Sequence, residues 1–247
     1  MSLIYHTQAI VLKKQDFGEY NNLYVLYTRD LGKVPAVCRG SKKITSKLAG
    51  HLEPFAVCDA VLVKGKNFFQ IIGTSHARTF NKILLNYQKI LYASFCFEVT
   101  DNLIKEFEKD ERAYNLLLTA LEAIDKNDTN HSVISHSFAF QLIHFLGFTP
   151  QTHTCIRCNK DITKEGNSYC VYEGGIVCEI CSPKVEKELI KICSDNINIL
   201  RLLSEFKMPL IDSIKISEDI AGEFEYIVRS IIQYYVEKNL RTEKFFI

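Results

Sequence analysis

"TQAIVLKKQDFGEYNNLYVLYTRDLGKVPAVCRG", residues 7–40, holds three apolar runs separated by two polar breaks. The runs, 7–14, 22–28 and 32–40, are rich in Val, Ile, Leu and Tyr, residues that suit a pleated, half-buried surface. The breaks, "DFGEYNN" and "RDLG", carry turn formers, with Asp30 and Gly32 reversing the chain. The same pattern continues in "FAVCDAVLVK" (55–64) and "FFQIIGTS" (68–75), joined through "KGKN" with Gly65 and Asn67 at the reversal. Five short strands within about eighty residues predict a small closed barrel; the five-stranded OB and SH3-like architectures both fit.

After residue 80 the apolar period lengthens. Tyr114, Leu117, Leu118, Leu121 and Ile124 form a helical stripe, as do Ile220, Phe224, Ile227, Val228, Ile231 and Tyr235. Ser217 is placed to cap the second helix, with Glu218 and Asp219 in its first turn and Lys238 near its end, which suits the helix dipole. Residues 81–107 and 131–146 also read as helices, apolar around much of their surface, and predict a compact helical core. "LGFTP" (146–150) is a stop signal, and Ser182 with Pro183 predicts the start of a further helix. The expected organisation is a barrel domain, 1–80, and a helical domain, 81–247, interrupted by a module at about 151–182.

A chain of 247 residues with 47% apolar content can bury a core without staples. It has no apolar run of membrane-spanning length. The start, "MSLIYHTQAIVLKKQDF", lacks a basic segment followed by a long apolar run and a cleavage site, so mature intracellular protein is expected. The net charge of +1 conceals an asymmetry. Residues 1–80 carry eleven Lys and Arg against five Asp and Glu, and the remainder nineteen against twenty-four. Within 31–52 there are five basic residues and no acid. A basic front half suggests a polyanionic partner, or simply a solvated basic loop.

The interrupting module contains "CIRC" (155–158) and "CEIC" (178–181), nineteen residues apart. Each CxxC lets two thiolates approach one ion from a tight turn, and two such turns complete a tetrahedron. Cys155, Cys158, Cys178 and Cys181 are therefore expected to hold one structural Zn²⁺. Four protein ligands leave no open position for catalysis. A thiol–disulfide couple is the competing reading of either pair. His153 and Cys170 could interfere as ligands, but pair symmetry favours the four, and Cys170 is expected as a strand residue of the hairpin. Cys38, Cys58, Cys96 and Cys193 sit singly in apolar runs and are expected as buried thiols.

Phosphate-loop, dinucleotide, zinc-protease and nucleophile-elbow motifs are absent from the sequence. His131, His136 and His144 lie on one predicted helix, and "EFEKDER" (106–112) reads as a solvated helix junction. No nucleophile and base can be paired, so no catalytic residue is expected.

The words of the sequence resemble the RecO family of bacterial recombination mediators. Residues 9–55, with "FGE", "TRDLG" and "RGSKKITSKL", resemble the family's opening barrel. "LGFTPQTHTCIRC" and "GGIVCEIC" resemble its zinc hairpin, and "LRTEKFF" (240–246) its C-terminal signature. The resemblance runs nearly end to end, although 81–130 matches only in helical character. Asn159 departs from the pattern, in which Gly often follows the second cysteine. The resemblance implies an OB barrel, a helical bundle and the zinc module. It also implies a cytoplasmic, nucleoid-associated protein without a catalytic site, which binds single- and double-stranded DNA and anneals complementary strands. Such a protein engages the C-terminal tail of the single-stranded-DNA-binding protein SSB, and works with RecR, sometimes RecF, to load RecA.

The expected DNA contacts are Arg39, Lys42, Lys43 and Lys47, with Gly40 and Ser41 as a mobile link that lets the loop follow a phosphate backbone. About four neutralised phosphates imply a slope of log K on log salt of roughly −3 on single strands. Tyr20, Tyr24, Tyr27, Phe68 and Phe69 are candidates for base stacking, each competing with a core role. A barrel of this type also accepts RNA, and a zinc or thiol enzyme is a third reading.

Overall fold

The computed structural model describes residues 3–44, 46–162, 165–205 and 216–246. Two compact units divide the chain, 1–126 and 127–247.

The first unit opens with strands β1 (Ile4–Phe17), β2 (Asn21–Thr28), β3 (Gly32–Cys38), β4 (Ala56–Lys64) and β5 (Phe69–Thr79). They close a barrel in the order β1-β2-β3-β5-β4. The long β1 pairs with β2 through Ala9–Phe17 and with β4 through Ile4–Ile10, with an irregularity between Val11 and Lys13. A short parallel pairing, Ala36 with Phe69 and Val37 with Gln70, completes the ring. This Greek-key order is that of an OB barrel and decides between the two expected architectures.

The barrel interior follows the period of two. Tyr24 and Leu26, Val34 and Ala36, Cys58, Ala60 and Leu62, and Phe69 and Ile71 form one buried cluster. Cys38 and Cys58 are thus core thiols, and burial pushes Cys58 up to about 12. The Thr28–Gly32 element has a local cause. Thr28 Oγ1 donates to the Gly32 carbonyl at 2.8 Å and accepts from the Leu31 N–H at 3.0 Å. Gly32 is left-handed, φ +71, and a Cβ there would lie 2.1 Å from the Glu108 carbonyl oxygen.

Helices α1 (Asn81–Leu85), α2 (Tyr87–Leu103) and α3 (Glu111–Lys126) complete the first unit. The helical stretch expected over 81–107 ends at Leu103 and is divided at Asn86, whose side chain accepts from the Lys89 N–H at 3.2 Å and caps α2. Along α3, Tyr114, Leu117, Leu121 and Ile124 of the expected stripe are buried, while Leu118 is half-buried.

The second unit comprises α4 (His131–Phe145), β6 (Ser168–Cys170), β7 (Gly175–Val177), β8 (Ile190–Lys191), α5 (Ser194–Ser204) and α6 (Glu218–Val236). The stop after α4 is realised: Gly147 takes φ +95 and the Phe148 N–H reaches back to the Ile143 carbonyl at 3.2 Å. The cap of α6 is as expected, Ser217 accepting from the Ile220 N–H. The helix predicted from Pro183 is corrected. Ser182–Lys184 forms a single 3₁₀ turn, because the chain beyond it is drawn into β8, which pairs with β6 in the sheet β7-β6-β8. Cys193 also departs from expectation. It is half-buried at the N-cap of α5, its N–H bonded to Glu223 at 2.8 Å. No helix among the described residues is long and apolar enough to cross a membrane.

Candidate nucleic-acid interface and metal centre

Two hairpin ends define a cleft on the barrel. β1 turns into β2 through residues 18–20, where Gly18 supplies a φ of +71, and β4 turns into β5 through 65–68. In an OB barrel these two turns flank the ligand face of β2 and β3. Here they bound a cleft of about 510 Å³ lined by Phe17, Asn21, Arg39, Lys66, Asn67 and Phe68, among others.

Ion pairing sorts the basic residues of the front half. Lys13 and Lys33 pair with Asp101, Lys14 with Glu53, Arg29 with Glu111, Arg78 with Glu122 and Lys42 with Asp16. Among the described residues, Arg39, Lys43, Lys47, Lys64 and Lys66 face no carboxylate within ion-pair distance. These five all lie on the segments 39–47 and 64–66, so the uncompensated charge is confined to the loop after β3 and the β4–β5 turn.

The four loop residues expected as DNA contacts are all exposed, in different settings. Arg39 lines the cleft. Lys42 Nζ lies 3.0 Å from Asp16 Oδ1 and donates to the Gly18 carbonyl at 3.2 Å. Lys43 Nζ stands 5.6 Å over the Tyr20 ring. The mobile link expected at Gly40 and Ser41 is corrected, since both are tied to the β1–β2 turn. The Gly40 N–H bonds Asn21 Oδ1 at 2.9 Å, and buried Ser41 bonds Asn22 and the Cys38 carbonyl, each at 3.0 Å. Of the aromatic candidates, Tyr24, Tyr27 and Phe69 are core residues. Tyr20 is exposed, and Phe68 is half-buried with Phe17 edge-on at 5.7 Å. Sequence reading missed Lys66 and Phe17. The "KGKN" signal was visible as a turn, but only the closed strand order brings it beside residues 17–21 and 39.

In the second unit the β6–β7 hairpin and its flanks gather four sulfurs. The Sγ atoms of Cys155, Cys158, Cys178 and Cys181 all lie within 4.8 Å of one another. Cys158 and Cys178 are 3.8 Å apart, which is the edge, about 3.8 Å, of a tetrahedron with zinc–sulfur bonds of about 2.3 Å. The donor chemistry fits a soft divalent ion. Burial opposes the Cys155 thiolate, but the Cys178, Arg157 and Cys158 N–H groups aimed at its sulfur outweigh it and hold it at about 6. Cys181 is pushed up to about 12 by burial and by its sulfur neighbours, so a cation among the four sulfurs would favour their joint ionisation. The departure at Asn159 is accommodated: φ is +57 there, a left-handed position that Asn tolerates, and its N–H bonds the Cys155 carbonyl at 2.9 Å. Cys170 lies in β6, buried beside the sulfurs but outside the set, and His153 is exposed outside it.

The three histidines share α4. His136 is fully buried, and burial depresses it to about 4 while its Nδ1 contacts the Ser132 carbonyl at 2.7 Å. Among the described residues, the four cysteines are the one group of three or more metal-ligating side chains.

The geometry so far defines an OB-barrel protein with a basic, aromatic-edged cleft and a helical unit carrying a four-cysteine metal-type centre. Residues 1–80 match the family model described as Recombination protein O N terminal, and residues 84–244 the one described as Recombination protein O C terminal. The chain belongs to the RecO family of DNA repair proteins. It is similar to the DNA repair protein RecO of Desulforamulus reducens, 29% identical over 242 residues, 98% of this chain and 93% of that one. The DNA repair protein RecO of Dehalococcoides mccartyi is 28% identical over 234 residues, 95% of this chain and 91% of its own. That of Roseiflexus sp. is 26% identical over 242 residues, 98% and 84%.

Proposed function

We propose that this chain is a recombination mediator without a catalytic site. It binds and anneals DNA strands and, with RecR, helps to load RecA onto SSB-coated single-stranded DNA. In this reading the barrel, 1–80, is the DNA-binding domain, and 81–247 is the helical domain with the metal module at about 151–182. Arg39, Lys42, Lys43 and Lys47 contact phosphates. The tail of SSB and RecR are protein partners, with RecF and RecA reached through them, and the protein works in the cytoplasm on nucleoid DNA. Cys155, Cys158, Cys178 and Cys181 hold one structural Zn²⁺, which braces a Gly-containing hairpin with little core of its own.

The observation that carries the reading is that, among the described residues of 1–80, the lysines and arginines without an ion-pair partner all lie on 39–47 and 64–66, the two segments beside the barrel cleft, in a chain of this family. Annealing of SSB-coated complementary strands tests it. Charge reversal at Arg39, Lys42, Lys43 and Lys47 is expected to abolish annealing while the melting temperature is unchanged. Full annealing by that variant would overturn the reading.

A further inference from the structure

We infer that Cys158 is an oxidation site for hydroperoxides, and that its reaction ends in a Cys158–Cys178 disulfide with loss of the bound ion. The inference rests on reading the four cysteines as zinc ligands and adds a chemistry to that centre.

The four sulfurs share one cluster but not one setting. Cys158 is exposed and Cys181 half-buried, whereas Cys155 and Cys178 are buried, at 0% and 8% exposure. Cys155 Sγ also accepts from the Arg157 and Cys178 N–H groups, each at 3.4 Å, which hold it inside its turn. Cys170 is buried in β6, outside the cluster. A dissolved oxidant therefore meets Cys158 first, because oxidation of a thiolate follows its accessibility. Cys178 Sγ stands 3.8 Å away, and closing that gap by about 1.8 Å gives a disulfide bond length. The backbone keeps the two turns in place for this closure. The Cys155 N–H bonds the Lys160 carbonyl at 2.8 Å and the Cys181 N–H the Cys178 carbonyl at 3.0 Å. The Ile156 N–H joins the first turn to the Ile176 carbonyl of β7, also at 3.0 Å. A sulfenic acid formed at Cys158 thus has a second thiolate within reach, and is drawn into a disulfide before further oxidation. The product crosses between the two CxxC turns, unlike a couple within either pair.

The Cys158 thiolate attacks a peroxide oxygen. An S–O bond forms, the O–O bond breaks, and the departing oxygen takes a proton and leaves as water or an alcohol. The Cys178 thiolate then attacks the Cys158 sulfur. The S–S bond forms, the S–O bond breaks, and the hydroxide takes a proton to become water. Two thiolates lose two electrons and the hydroperoxide gains them. Cys155 and Cys181 remain as ligands, too few to retain the ion. Exchange with a small thiol reduces the disulfide and restores the set.

The test uses the full chain loaded with zinc and treated with hydrogen peroxide. A chromophoric chelator reads released zinc, and peptide mass mapping with a sulfenic-acid trap reads the modified cysteines. The expected result is loss of the zinc, with the trap on Cys158 early and one Cys158–Cys178 disulfide per zinc at the end, reversed by dithiothreitol and added zinc. Cys158→His keeps a fourth zinc ligand without a thiol, and should hold its zinc through the same exposure. The mapping on the native chain decides even where that variant binds no metal. Zinc retained under peroxide would overturn the inference, as would a first adduct on Cys155, Cys170 or Cys181, a disulfide within either CxxC pair, or equal zinc loss from native protein and Cys158→His. An untreated protein free of zinc would instead remove the ligand reading, and the inference with it.

Discussion

Replacing Asp16 with Asn removes the carboxylate 3.0 Å from Lys42 Nζ. The Asp16 side chain is 86% exposed, so the pair contributes at most about 1 kcal/mol to folding and the barrel is expected to persist. The effect on DNA is larger, because Asp16 competes with a phosphate for Lys42 and offsets part of its charge. Freed of Asp16, it adds one cation beside the cleft. On single strands each neutralised phosphate steepens the slope of log K on log salt by about 0.7. Extrapolated from 1 M to 0.1 M salt, that increment is about fivefold in affinity. Lys42→Ala leaves a bare carboxylate in its place and should loosen binding by a similar factor. The double variant restores the net charge and should return close to the native affinity. Fluorescence anisotropy with a labelled single strand, titrated between 0.05 and 0.4 M salt (on the order of the range where counterion release dominates), reads both slope and affinity. An Asp16→Asn protein with native slope and affinity would refute this reasoning, as would a double variant far below the native protein.

Purified protein is expected to carry one zinc per chain by elemental analysis; Cys178→Ser should lose it and Cys170→Ser should not, and full metal in Cys178→Ser would contradict the ligand assignment. Gly32→Ala forces a left-handed backbone on a residue with a Cβ and drives that Cβ into the Glu108 carbonyl. Strain alone should cost about 1–3 kcal/mol in urea unfolding, and a native midpoint would contradict it. Burial depresses His136 against the weaker pull of Glu225, with Arg229 adding to the depression, so the folded state favours the neutral ring. The stability it contributes is full above its ordinary 6.5 and lost as pH falls through about 4. His136→Gln should flatten the stability profile over that window, and an unchanged profile would exclude the histidine as its source.

The barrel strands were legible because alternation and turn residues are local signals. The expected 22–28 and 55–64 differ from the observed Asn21–Thr28 and Ala56–Lys64 by one residue at an end. The four-cysteine centre was legible for the same reason, each CxxC being a turn with its own chemistry. Contacts fixed by closure were hidden. Nothing near Lys42 in sequence identifies Asp16 as its partner; the β1–β2 turn, through the Lys42 N–H to the Tyr20 carbonyl at 3.1 Å, brings the two together. In sequence Lys66 is only part of the "KGKN" reversal, since its place in the cleft depends on β5 lying between β3 and β4. The helix expected at Pro183 failed because a proline at a first turn starts a 3₁₀ turn as readily as a longer helix, and the pairing of β8 with β6 decided the outcome.

The central claim is that DNA is held by unpaired cations around the barrel cleft. It is tested most directly by single-strand affinity at 0.1 M salt in a protein carrying Arg39→Glu, Lys43→Glu, Lys47→Glu and Lys66→Glu together, with Lys13→Glu as the control at a cation already paired to Asp101. The expected result is loss of at least about a hundredfold in the quadruple variant, with an unchanged melting temperature and a far smaller loss in the control. Native affinity in the quadruple variant would contradict it.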